Sequence, residues 1–137
     1  VYREATTTPA APAPDEADVD LSGWGWHRSL RPAEPVLFRY SALTFNSHRI
    51  HYDRPYAVDE ECYRGLVVHG PLTATLLLDL AARELGANTL RSFAFRGVSP
   101  AIAGEPLHLV AKRDDDAIAL AALGGDGRTV MAAEATL

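Results

Sequence analysis

Residues 70–85, Gly-Pro-Leu-Thr-Ala-Thr-Leu-Leu-Leu-Asp-Leu-Ala-Ala-Arg-Glu-Leu, constrain this chain more than any other stretch. Glycine and proline open it, proline being suited to a first helical position because the N–H it lacks has no intrahelical partner there, and Gly86 closes it. Leu72, Leu76, Leu77, Leu78, Leu80, Ala81 and Ala82 cover most of the helix circumference. Only Thr75, Asp79 and Arg83, each four residues from the next, make a polar stripe, which reads as a helix surface carrying an i,i+4 ion pair. A helix apolar on nearly all sides is expected to be buried on nearly all sides, so the rest of the chain has to wrap it.

The chain beyond the helix suits that task. Segments 90–96, 106–113, 117–123 and 129–137 have strand character and are separated by turn-forming runs at 97–104, 114–116 and 124–127, the last reading Gly-Gly-Asp-Gly. Leu107, Leu109 and Ala111 alternate with His108, Val110 and Lys112, which predicts one buried and one wetter face. The expected fold class is α+β: an antiparallel sheet curved around one long central helix.

Upstream the chain is less regular. Residues 1–4 alternate as a short strand would, 5–20 form a Thr, Ala, Pro and Asp run read as a loop, and 21–35 read as a connection anchored by Trp24 and Trp26. Residues 36–43, Val-Leu-Phe-Arg-Tyr-Ser-Ala-Leu, are rich in aromatic and branched side chains and read as a strand or the entry to one. The division is therefore a strand plus Pro/Ala-rich connecting segment over 1–35, then the main domain over 36–137.

With 137 residues there is room for one core, and at 47% hydrophobic and 23% charged the composition is that of an ordinary globular domain. No apolar run approaches the roughly 20 residues of a membrane helix, and a net charge of −5 with scattered basic residues speaks against a nucleic-acid surface. A small molecule or a protein is the expected partner. The lone Cys62 excludes an internal disulfide, and no charged-then-apolar signal segment opens the chain, so a cytoplasmic location is expected. A start at Val1 rather than methionine suggests a fragment of something longer.

Chemistry concentrates in residues 45–71, which hold three of the five histidines. His51 is the candidate proton carrier, since imidazole takes and gives protons near neutral pH. Asn46 can orient a water through its amide oxygen but is no base. Gly70, at a helix start with unpaired N–H groups and the positive end of the dipole, suits an oxyanion. His48 reads as a supporting or surface residue, and His69 as a side chain that positions the helix start. His48, His51, Asp53 and His69 meet no standard zinc spacing, so neither a metal nor another cofactor is expected. Glycine-rich phosphate loops, Cys-x-x-Cys pairs and Gly-x-Ser-x-Gly elbows are absent from the sequence.

The stretches Thr-Phe-Asn-Ser-His-Arg-Ile-His-Tyr-Asp-Arg-Pro-Tyr-Ala and Gly-Leu-Val-Val-His-Gly-Pro-Leu-Thr-Ala-Thr-Leu-Leu together resemble the MaoC-like hydratases and dehydratases of the hot-dog fold. Within that family the likeness is to the mesaconyl-CoA hydratase and mitochondrial-type 3-hydroxyacyl-thioester dehydratase branch. It is strong over residues 36–80 and only general over the meander. The family motif is Gly-Asp-x-Asn-Pro-Ile-His: Asn46 falls on its Asp, His48 on its Asn, Arg49 on its Pro, Ile50 on its Ile and His51 on its His, while Gly70 falls on the helix-start glycine whose N–H binds the thioester oxygen. The departure is Asn46, where a carboxylate is usual.

The resemblance implies reversible addition of water to a 2-enoyl thioester, of CoA or an acyl carrier. His51, Asn46 and Gly70 would form the catalytic group, and His48, Arg49 and His69 would contact substrate. Arg49 would meet the carboxylate of a dicarboxylic acyl chain such as mesaconyl. It also implies side-by-side pairing, as a homodimer or as the C-terminal half of a double hot-dog chain. Two other readings stay open: a hot-dog thioesterase using Asp79 as base, and a non-catalytic acyl-binding or assembly module.

Overall fold

A computed structural model describes residues 6–137; the strand expected at residues 1–4 lies outside them. In chain order come β1 (Trp26–Leu30), α1 (Glu34–Thr44), a 3-10 turn (Arg49–His51), a π-helical turn (Tyr56–Glu60), α2 (Gly70–Leu85), β2 (Ser92–Gly97), β3 (Leu107–Asp114), β4 (Ala117–Gly124) and β5 (Thr129–Thr136). The strands form one antiparallel sheet in the order β1-β3-β4-β5-β2. Curled over α2, this sheet makes the expected hot-dog arrangement.

Strand alternation builds the core. Leu107, Leu109 and Ala111 on β3, Ile118, Leu120 and Ala122 on β4, and Met131, Ala133 and Ala135 on β5 all join the main buried cluster with Leu72, Leu77, Leu80 and Ala81 of α2. Register keeps them in rows: Leu109 pairs with Ala122, and Ala122 with Met131. Alanine recurs where the helix approaches, so the sheet can close on it without steric conflict. Leu77 has no exposed surface. Leu77→Ala is expected to lower unfolding stability by about 2–5 kcal/mol, read from urea denaturation.

The helix departs from expectation in one respect. Its buried residues, Leu72, Thr73, Ala74, Leu77, Leu80 and Ala81, make one broad face, while Leu78 stays 36% exposed on the other side. One sheet of five strands covers one side of a helix, and nothing within the described residues covers the other.

Two upstream expectations are corrected. Residues 36–43 lie in a helix rather than a strand: Pro35 occupies its first turn, and Leu37 and Ser41, four apart, are its buried residues. Only that narrow stripe faces inward, so aromatic Phe38 remains 64% exposed, and aromatic content alone was a poor guide to strand. The supposed connection at 21–35 contains β1, whose five residues pair with β3 from Trp26 opposite Ala111 to Leu30 opposite Leu107.

The segment read as a loop at 5–20 is also structural over its described part. The Ala10 N–H donates to Cys62 O at 3.1 Å, and the Ala17 N–H to Gly125 O at 2.8 Å. Val19, Leu21 and Trp24 then pack on Val110, Ala121 and Leu123, which point away from α2. That is why Val110 is fully buried, on what the alternation of β3 marks as the wetter face. No helix among the described residues is long and apolar enough to cross a membrane.

Candidate active site

The chain between α1 and α2 is folded tightly against the helix start. Phe45 ends α1 in the left-handed region at φ 54°, and the Asn46 N–H donates back to Ser41 O at 2.9 Å. Asn46 Oδ1 then accepts the His48 N–H at 3.0 Å, an Asx turn that launches the 3-10 turn carrying Arg49, Ile50 and His51. Downstream, residues 66–68 run extended. The Val67 N–H donates to Ile50 O and the Val68 N–H to Ala101 O, both at 2.9 Å, and Leu66 O accepts the Ala103 N–H at 2.9 Å.

That backbone fixes His51. Its Nδ1–H donates to Val67 O at 2.7 Å, the carbonyl being able only to accept, so Nε2 carries the lone pair of a base. The side chain is buried, and burial is the main cause holding its pKa below the ordinary 6.5; the nearby His48 adds to this, and the bond to Val67 opposes it. A stacked ring lies against it: His69, at a centroid distance of 3.7 Å and an interplanar angle of 18°. His48 approaches His51 edge-on, at 5.6 Å.

His51, His48 and Gly70 share the wall of a cavity of about 890 Å³, with Ile50, Val67, Ile102 and Met131 supplying apolar surface and Arg64 a cation. His69 is the residue preceding α2, so Gly70 is the first helical residue. Its N–H belongs to the first turn, which has no intrahelical acceptor, and Pro71 next to it has no N–H to offer. A Cβ on Gly70 would meet nothing closer than Met131 Cε at 3.9 Å. Packing against the rest of the fold therefore does not demand glycine there, and the open surface it leaves belongs to the cavity. A hydrogen-bond donor and a neutral imidazole lining one cavity are equipment for moving a proton next to a carbonyl.

Three expected site residues sit elsewhere. Asn46 lines a separate surface hollow with Phe38, Ser41 and Tyr52, and its oxygen is committed to the turn; a water-orienting role at His51 is not what its geometry supports. Asn46→Ala is expected to destabilise the fold by about 1 kcal/mol through the lost turn bond, while changing activity far less than any change at His51. Paired thermal-melt and rate measurements check this.

Arg49 is exposed, its Nε and Nη2 bonded to Asp53 Oδ2 at 2.9 and 2.7 Å and its guanidinium 4.1 Å above the Tyr56 ring; it is not in the cavity wall. His69 is not in the wall either: it has no exposed surface, and it touches His51 from behind. A motif alignment places residues along a chain, but on a turn as tight as this one neighbours face opposite ways.

Residues that sequence reasoning passed over also matter. Ser41 Oγ lies 2.8 Å from His69 Nε2, and the Tyr40 ring meets His69 edge-on at 4.8 Å. The signal for Ser41 was its place one helical turn after Leu37, a polar group on an inward stripe. Arg64 carried no signal; its Nε and Nη2 bond both oxygens of Glu105, at 2.5 and 2.6 Å. Among the described residues, no three His, Cys, Asp or Glu side chains gather as a metal ion needs.

Asp79, the alternative base, lies outside the cavity, with one oxygen shared by Arg28 Nη1 and Arg83 Nε, each at 2.8 Å. Arg83 above all holds its carboxyl below the usual range, which makes it a weak proton acceptor.

Known proteins share this build. The profile of the hydroxyacyl-thioester dehydratase type 2 family matches residues 1–103. The chain belongs to that family. Mesaconyl-C(4)-CoA hydratase of Chloroflexus aurantiacus is 47% identical over 139 aligned positions, covering 100% of this chain and 48% of that protein. The mitochondrial hydroxyacyl-thioester dehydratase type 2 of Schizosaccharomyces pombe is 39% identical over 80 positions, 57% of this chain and 27% of that protein. This family member thus spans half or less of the curated relatives it matches. Among solved structures, the R-hydratase PhaJ1 of Pseudomonas aeruginosa superposes with a TM-score of 0.69 at 20% identity, over 80% of this chain and 75% of that one. The peroxisomal multifunctional enzyme type 2 of Drosophila melanogaster reaches 0.72 at 18% identity, over 98% of this chain and 25% of that one. These structural likenesses carry the fold.

Proposed function

We propose that this domain catalyses reversible hydration of a 2-enoyl thioester to a 3-hydroxyacyl thioester. The observation that carries the reading is the shared cavity of His51, its tautomer fixed with Nε2 as acceptor, and Gly70 at the start of α2. In the forward direction His51 Nε2 takes a proton from water as the oxygen bonds to C3. The π electrons move toward the thioester carbonyl, whose oxygen accepts a hydrogen bond from the Gly70 N–H. The proton held by His51 then passes to C2 as the enolate collapses, so the hydroxyl on C3 and the hydrogen on C2 together account for the whole water and His51 is neutral again.

His48 lies on the substrate side of His51, in the cavity wall. A dicarboxylic acyl chain would meet Arg64, the arginine of that wall, rather than Arg49, and would have to share its guanidinium with Glu105. The relative from Chloroflexus aurantiacus, named for a mesaconyl substrate, motivates testing such a chain first.

The working unit is a pair of such folds. β2 is an edge strand bonded on one side only, to β5, and Phe95 on it and Val98 just past its end are 50% and 52% exposed. Val98 also lines the cavity, so a second sheet edge laid along β2 would complete its wall. The partner is a second copy or a preceding half of a longer chain.

Incubation with crotonyl-CoA and mesaconyl-CoA tests the reaction. Loss of enoyl absorbance without release of free thiol supports hydration. Thiol release would mean thioester hydrolysis, and no change with either substrate would favour a binding module. Phe95→Lys is expected to shift sedimentation toward the monomer and to lower kcat/KM with it.

A further inference from the structure

The arrangement behind His51 is more elaborate than packing requires. His69 has no exposed surface, yet it is polar, and its Nδ1 has no hydrogen-bond partner. An imidazole buried in this way costs more than a phenyl ring of similar shape would. Its other nitrogen, Nε2, is held by Ser41 Oγ at 2.8 Å, and Tyr40 braces its edge. Both residues come from α1 and are one position apart, so that helix fixes the ring's plane. The plane so fixed is within 18° of parallel to His51 at 3.7 Å. Through its backbone the same residue precedes Gly70, and its C=O accepts the Thr73 N–H at 3.1 Å, closing the first turn of α2.

We infer that His69, held by Ser41, is a positioning residue that sets the ring plane of His51 and keeps water off the ring face turned away from the cavity, coupling the aim of the base to the helix start that carries the oxyanion donor. This deepens the hydration reading and rests on it. His69 never titrates near neutrality, because burial first, and the neighbouring His51 second, push its pKa down to about 4. It therefore acts as a neutral flat wall. Other titratable or charged groups around His51 are His48, Arg49 and Asp53 on its own turn, and Glu61, Tyr63 and Arg64 in the shared cavity.

Three variants separate this role from mere filling of space. His69→Ala removes the wall, lets water reach His51 and lifts the burial that keeps its pKa low. It is expected to lower kcat by about 10–100-fold with KM nearly constant, and to move the acid limb of the pH profile to higher pH. His69→Phe keeps the flat wall, and is expected to hold kcat within about fivefold with the acid limb in place. Ser41→Ala frees the ring to tilt, and kcat is expected to fall several-fold without a change in the limb.

NMR titration of the His51 imidazole in the same proteins reads its pKa without any turnover. A higher His51 pKa in His69→Ala than in wild type and His69→Phe supports the inference even where the hydration reading fails. An unmoved His51 pKa in a folded His69→Ala protein overturns it. So does a His69→Phe protein as slow and as shifted as His69→Ala.

Discussion

His51→Ala is expected to lower kcat for enoyl-thioester hydration by about 10²–10⁴-fold, the range one positioned general base supplies, with KM changed only a few-fold. The fold should survive, because the ring is replaced by a smaller side chain beside a cavity and the Val67 carbonyl can be reached by water. The wild-type pH profile gives the sign of the protonation. His51 must be neutral to accept a proton, and its pKa lies below 6.5, chiefly through burial. Activity is therefore expected to persist below pH 6.5 and to fall only as pH drops through the lower folded value. A profile whose acid limb sits above 6.5 would deny His51 the role of base.

The same two histidines contribute to the loss of stability between pH 6.5 and about 4. Both have folded pKa values depressed below the 6.5 of the free side chain, that of His69 to about 4. Above 6.5 neither form of the protein binds the extra protons. As pH falls from there toward about 4, the unfolded chain takes them up first, so stability declines over that window. Urea midpoints should fall across it in the wild type, and His69→Phe should flatten part of the slope.

The second large effect is expected at Gly70. Proline there removes the N–H and, with Pro71 following, also puts a Cβ-bearing residue before a proline, a strain that Gly70→Ala shares and so controls for. The position is the first of α2, where proline's φ is helical, and His69 before it already has φ −60° and ψ 131°, the extended geometry a pre-proline residue prefers. Met131 Cε, 3.9 Å from where a Cβ would stand, leaves room for the ring's first carbon. Gly70→Pro should lower kcat by about 10²–10³-fold, the cost of one oxyanion donor. Gly70→Ala, which keeps the N–H, should cost much less in kcat and act mainly on KM. Equal losses in the two would mean that the cavity needs space at this point rather than a donor.

How legible the molecule was depended on where the determining forces act. Helix α2 and strands β2 to β5 are punctuated by Gly70, Pro71, Gly86 and the Gly-Gly-Asp-Gly turn, and alternation or helical spacing marks their faces, so local chemistry was enough. β1 sits among Gly, Ser and Pro, and only its pairing with β3 makes it a strand. α1 buries just Leu37 and Ser41, too narrow a stripe to stand out against its exposed Phe38 and Leu43.

At the site, the motif pointed to His51 and Gly70, which share the cavity. It misled on Asn46 and Arg49, because the direction of a side chain on a one-turn helix is set by the bonds of Asn46 Oδ1 and Asp53, not by sequence position. Ser41 became visible only once α1 was known to be a helix running past His69.

The cover of the outer sheet face bears on how such a domain can be cut. Val19, Leu21 and Trp24 belong to a stretch that looks disposable, yet they are what keeps Val110, Ala121 and Leu123 dry. A chain trimmed to begin at residue 26 would retain every strand and helix and present an oily patch across β3 and β4. Such a protein should clump, and although it keeps His51 and Gly70 it loses Ala10 from the cavity wall, so its failure would mix aggregation with damage at the rim of the site. The boundary of this domain is better drawn by which sheet face a residue seals than by where regular structure begins.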